Sequence, residues 1–244
     1  MFMAVMLMGV AMGLASAQRG EAAFETDVVP TSGGDLTITC IGHGTLMFEF
    51  NGKVIHVDPY GKLADYGTLP KADLILVTHA HTDHLDPDAV RKLTKPGTEV
   101  AAAPVCAPRL PRAVLMKNGD VQTLCGVKIE AVPTYNIVHK RDNGLPFHPK
   151  GEGNGYILTL GDKRVYVDGD TENTPEMKAL KGIDVAFLPM NLPYTMTPAM
   201  VADAARAYKP RILYPYHYGE TDPAELVKLL KDAQGTEVRI RRMR

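Results

Sequence analysis

Between residues 74 and 90 the chain reads LILVTHAHTDHLDPDAV, an apolar run followed at once by His79, His81, Asp83 and His84. Neutral imidazole and carboxylate are ligands for zinc, manganese or iron, and clustering them without a counter-ion would be costly. Alternate side chains of an extended segment project to one side, so His79 and His81 can share one cation. Asp83 and His84 follow where the chain must turn into a helix, which lets them face a second. The carboxyl end of a buried strand is also where α/β folds place their sites.

Such a cluster needs a scaffold, and the rest of the sequence supplies one. TLMFEFNGKVIHVDP is two β-rich runs joined by Asn51-Gly52, a strong hairpin signal, and GYILTLGDKRVYVDGD repeats the plan around Gly161-Asp162. Each hairpin is followed by a continuous apolar strand, ADLILVT in one half and IDVAFLPM in the other, with RILYPYH as a third. Continuous apolar strands imply burial on both faces. Between them DPDAVRKL, TPEMKALK, TPAMVADAARAY and DPAELVKLLKDA each open with Asp or Thr before Pro, which predicts capped helices. The expected class is α/β, with two sheets packed against each other and helices outside, and the repeated hairpin suggests duplication.

Composition bounds the partners. The 244 residues, 45% of them hydrophobic, can build a sizeable core. With 27 basic and 28 acidic residues there is no electrostatic case for a nucleic-acid track or an anionic membrane surface. Cys40, Cys106 and Cys125 are too few and too scattered for a disulfide framework. MFMAVMLMGVAMGLASA, residues 1–17, reads as an export signal cleaved near Ala17, although it lacks a basic start, and the expected location is periplasmic or secreted. At about 15 apolar residues it is short for a membrane span, so no stable membrane insertion is expected. Residues 18–34 read as a short lead-in, and 35–244 as a single domain.

THAHTDH resembles the His-x-His-x-Asp-His signature of the metallo-β-lactamase superfamily, and the similarity covers nearly the whole chain beyond the export signal. That resemblance implies a four-layer αβ/βα sandwich of two duplicated halves. It also implies that His79, His81 and a later histidine hold one metal, that Asp83, His84 and His217 hold the other, and that Asp170 bridges them. Both His139 and His148 lie in the interval for the later histidine. YNIVHKRDNGLPFHPKGEGNGYIL is similar to a bacterial branch of metal-dependent hydrolases akin to the ascorbate-phosphate lactonase group, and on that match the ligand is His148.

The implied activity is hydrolysis of a small ester, lactone or phosphodiester by a hydroxide shared between two divalent cations, zinc by expectation with manganese or iron as alternatives, and Asp83 and Asp170 as the carboxylates of the catalytic centre. Asp58 ends a strand beside the cluster and could accept a hydrogen bond from a ligand histidine, fixing its tautomer. His43, between Gly42 and Gly44, together with Asn191 and Tyr194, are candidates for binding substrate. Tyr135, Tyr216 and Tyr218 surround the metal-bearing loops in sequence, whereas His56, inside a hairpin strand, reads as structural. A non-catalytic metal-binding or sensing protein would need the same ligands, and an open coordination position distinguishes the two.

Overall fold

Type-specific turns set the strand pairing. Asn51 and Gly52 both adopt positive φ (48° and 71°), the left-handed conformation that a tight hairpin requires. They join β3 (Thr45–Phe50) to β4 (Lys53–Val57) in an antiparallel register that places Leu46 opposite Val57. Gly161 joins β10 (Gly153–Leu160) to β11 (Lys163–Val167) in the same way. The structure, a computed structural model, describes residues 24–244, so the export-signal reading of 1–17 lies outside the described residues.

The two hairpins sit in two sheets of identical plan. The first runs β1 (Glu25–Thr31), β2 (Gly34–Gly42), β3, β4, β5 (Leu74–Val77), β6 (Glu99–Ala102) and β7 (Val114–Leu115). The second runs β8 (Val121–Leu124), β9 (Val127–Thr134), β10, β11, β12 (Val185–Pro189), β13 (Ile212–Tyr216) and β14 (Glu237–Val238). In each sheet the first four strands pair antiparallel and the last four parallel. The expected duplication is therefore visible as topology.

Alternation along the buried strands divides their side chains between two cores. Leu74 and Leu76 of β5, with Val185 and Phe187 of β12, face a central core between the sheets, while Ile75 and Val77, with Ala186 and Leu188, face outward beneath helices. Phe187 lies 4.7 Å from Tyr214 in a near-parallel stack and 5.9 Å from Phe48 of the opposite sheet. α1 (Pro87–Leu93) covers the first sheet through Ala89, Val90 and Leu93. α2 (Pro175–Lys178), α3 (Pro198–Tyr208) and α4 (Pro223–Leu230) cover the second. Asp86, Thr174, Thr197 and Asp222 cap these helices with their side-chain oxygens, each one residue before the proline. The result is the four-layer αβ/βα sandwich.

One boundary differs from expectation. The stretch read as a lead-in contains β1, paired with β2 along its length from Glu25–Cys40 to Thr31–Gly34. Of its residues only Val29 is buried; the others alternate between half-buried and exposed, so no run of apolar side chains marks the strand in the sequence. Distant contacts hold it instead: Asp27 accepts from Arg241 Nη2 at 2.6 Å, Arg241 Nε at 2.8 Å and the Tyr214 hydroxyl at 2.9 Å.

Candidate active site

The site forms where β4, β5, β11 and β13 end. Asp58 leaves β4 with φ at +47° and is fully buried. Its carboxylate accepts from Thr78 N at 2.8 Å, the Thr78 hydroxyl at 2.6 Å and His84 Nδ1 at 2.8 Å. It therefore ties the end of β5 to the histidine loop and fixes which His84 nitrogen points into the site. From the other half, Gly169 (φ +70°) brings its backbone so close that a Cβ there would lie 2.8 Å from Thr78 Cβ. Gly44 is similarly constrained, because a Cβ would meet the His84 ring at 2.8 Å.

Two groups of side chains converge there. His79, His81, His148 and Asp170 place one ligand atom each within 4.8 Å of one another, and so do His43, Asp83, His84 and His217. Asp170 stands between the groups. Its Oδ2 lies 3.3 Å from His148 Nε2 and 3.9 Å from His79 Nε2, while its Oδ1 lies 3.3 Å from His84 Nε2 and 3.5 Å from His217 Nε2. Asp83 Oδ2 is 3.8 Å from His217 Nε2 and 3.1 Å from His43 Nε2.

Four of these buried atoms, His79 Nε2, His84 Nε2, His217 Nε2 and Asp170 Oδ1, complete no hydrogen bond. Orphaned lone pairs facing one another in an interior are expensive unless a cation fills the space between them. The donor set of imidazole and carboxylate fits one divalent ion in each group.

Electrostatics agree. Burial and the neighbouring His84, His148 and His81 hold His79 well below the ordinary imidazole pKa, and burial pushes His217 down to about 4. Burial also works against charging His84, but the Asp170 and Asp58 carboxylates on either side overcome it and raise His84 well above its usual value. Burial opposes ionisation of Asp170 as well, yet His217 and His84 hold its pKa well below the carboxylate range. A proton on His84 thus occupies a position that a cation would take by displacing it.

The structure settles the placement of His139 and His148. His148 lies in the first group, held by Asn136, whose Oδ1 accepts from His148 N at 2.8 Å and Nδ1 at 2.7 Å. His139 points away and its Nδ1 sits 2.7 Å from Glu172. Asn136 also donates to the Tyr194 carbonyl at 2.9 Å, joining His148 to the opposite rim. Asn191 Nδ2 is 3.3 Å from His217 Nδ1, and Tyr194 is exposed at the mouth. His43, expected at most to touch substrate, falls inside the second group, its ring centroid 3.7 Å from that of His217. Its own carbonyl accepts from His217 N at 3.0 Å, and both residues have left-handed backbones.

Several expectations resolve as structure. The Tyr135 hydroxyl donates to Glu176, the Tyr216 hydroxyl accepts from Gly169 N, and the Tyr218 hydroxyl donates to the Arg241 carbonyl. His56 is buried in β4 with Nε2 on the Pro70 carbonyl. Sequence reasoning gave no role to Thr78, Asn136 or Glu172. Glu172 is buried and accepts the backbone N–H groups of Ile137, Val138 and His139, at 2.7 Å each, shaping the loop that delivers His148. Nothing in a lone Glu or Asn announces such a contact, although Asn136 falls within the Tyr-Asn pair of the branch pattern.

Two adjoining cavities open onto the groups, sharing His81, Phe147, His148 and Asp170. One of about 140 Å³ reaches Thr134 and Glu152, and one of about 330 Å³ is lined also by Asp83, Arg141, Asn191, Tyr194 and His217. The larger of the two is of a size that holds small molecules. Among the described residues no helix is long and apolar enough to cross a membrane.

Comparison with known proteins agrees with this geometry. The β-lactamase superfamily domain model matches residues 37–217. A UPF0173 metal-dependent hydrolase of Pelotomaculum thermopropionicum is 29% identical over 221 residues, covering 84% of this chain and 96% of the relative. One from Thermococcus kodakarensis is 33% identical over 214 residues, covering 79% and 91%. Among solved structures, a protein from Parabacteroides distasonis assigned as a metal-dependent hydrolase superposes with a TM-score of 0.86 at 51% identity, covering 91% of this chain and all of that one. A metallo hydrolase from Ignicoccus hospitalis superposes with a TM-score of 0.71 at 25% identity, covering 85% and 95%. Family model, relatives and fold converge with the site: the chain belongs to the metallo-β-lactamase superfamily and is a metal-dependent hydrolase.

Proposed function

We propose that the chain is a dinuclear hydrolase of a small ester, lactone or phosphodiester, with His79, His81 and His148 holding one divalent cation, Asp83, His84 and His217 the other, and Asp170 bridging them. The observation that carries this reading is the position of Asp170, whose two oxygens face the two groups separately. Cations held by these residues would supply Lewis-acid chemistry, lowering the pKa of water and stabilising charge on the reacting oxygen. The chain's own residues supply orientation: Asp58 directs His84, Asn136 directs His148, and Asn191 and Tyr194 border the space left for substrate. The cavities on these groups support turnover over a purely structural metal role, since a structural site is closed by protein side chains.

The test is a panel of esters, lactones and phosphodiesters with zinc- and manganese-loaded protein. His81 is exposed, so His81→Ala leaves the core packing intact. Loss of a ligand removes several kcal/mol of charge stabilisation, so His81→Ala and Asp170→Ala are expected to lower turnover on the order of 1,000-fold. Turnover unchanged by both substitutions overturns the assignment.

A further inference from the structure

We propose that Arg141 forms an anion subsite in this cavity, so that the substrate carries a carboxylate or phosphate group remote from the bond being cleaved. The inference rests on the hydrolase reading above and adds the class of substrate to it.

Arg141 lines the 330 Å³ cavity together with Asp83, His217 and Asn191, and it is the cationic side chain in that lining that no metal would claim. Among the described residues no carboxylate lies within ion-pair distance of it. Nη2 donates to the Phe147 carbonyl at 3.1 Å, and the guanidinium lies 5.2 Å from the centre of the Phe147 ring. Those two contacts orient the group while leaving its other donors unengaged. A planar guanidinium with free donors matches an oxyanion in two-point contact.

The subsite is also built into the site rather than hung beside it. Arg141 N donates to the Leu145 carbonyl at 2.8 Å and Gly144 N donates back to the Arg141 carbonyl at 2.9 Å, closing a tight turn. Phe147 packs edge-on against Tyr194 at 5.1 Å, and His148 follows it directly in sequence. The same loop that delivers a metal ligand therefore delivers the guanidinium, at a fixed offset from the reacting centre.

The experiment compares three 4-nitrophenyl esters on the zinc-loaded full chain: the butyrate, the hemisuccinate and the 3-phosphonopropionate. Wild type is expected to prefer at least one anionic ester over the butyrate in kcat/KM, and which of the two identifies carboxylate or phosphate as the natural group. A charge-assisted contact of this kind makes Arg141→Ala lower that preference about 10- to 100-fold, with Arg141→Glu lowering it further and Arg141→Lys retaining part of it. No preference in wild type, or a preference unchanged in Arg141→Ala, overturns the proposal. If no ester is turned over, the hydrolase reading is what suffers. Calorimetric titration of zinc-loaded protein with succinate and with methylphosphonate then decides the subsite. Binding at least about tenfold weaker in Arg141→Ala supports it, and equal binding overturns it.

Discussion

Replacing Asp58 by asparagine exchanges one oxygen for an NH2 group and should invert a histidine. Asp58 Oδ2 accepts the Nδ1 proton of His84 at 2.8 Å, so that when a cation displaces the ring's second proton it is Nε2, aimed between Asp170 and His217, that is left to bind it. In Asp58→Asn the amide oxygen can still accept from Thr78 N, but the amide nitrogen facing His84 is a donor. His84 Nδ1 must then become the acceptor, and the proton moves to Nε2, where it blocks the lone pair offered to a cation. Asn tolerates left-handed backbone, so the φ of +47° adds no new strain.

Losing such a supporting contact costs about 10- to 100-fold in metal affinity, or ~1.4–2.7 kcal/mol. Zinc competition against a chromophoric chelator measures that loss, with thermal melting of the metal-free proteins as the control for folding. The second site should weaken more than the first, because His84 meets Asp58 directly whereas His79 reaches it only through the Thr78 hydroxyl. Two sites of unaltered affinity in a folded Asp58→Asn protein would refute the tautomer argument.

Two further expectations concern the scaffold. Burial lowers His56 to about 4, so between pH 6.5 and 4 the unfolded chain takes up a proton that the folded one refuses; stability is fully present above 6.5 and falls by about 3 kcal/mol toward pH 4, at ~1.4 kcal/mol per pK unit. Denaturant unfolding of metal-free wild type and His56→Gln across that range should give a flatter slope for the variant, and parallel slopes would contradict it. Phe187→Ala removes the ring that stacks on Tyr214 and meets Phe48 across the sheets, and should destabilise by about 3–5 kcal/mol in the same assay. A loss under about 1 kcal/mol would mean that the central core collapses into the gap.

Local chemistry made much of this protein readable before any fold was known. Asn51-Gly52 and the Asp-Pro and Thr-Pro pairs act over a few residues, so hairpins and helix starts follow from the chain alone. His79, His81, Asp83 and His84 lie within six positions, which is why the site announced itself. Contacts across long separations were decided only by the tertiary structure. β1 is held by Arg241, more than two hundred positions away, and His43 enters the second group because the chain folds its carbonyl onto His217. His139 and His148 are equivalent as residue types; the buried carboxylate of Glu172 takes one and Asn136 directs the other toward Asp170. Sequence determines which groups can bind a cation, because ligand chemistry belongs to each side chain. Where those groups meet depends on how two sheets pack, because burial and hydrogen bonding act on distances that spacing along the chain does not encode.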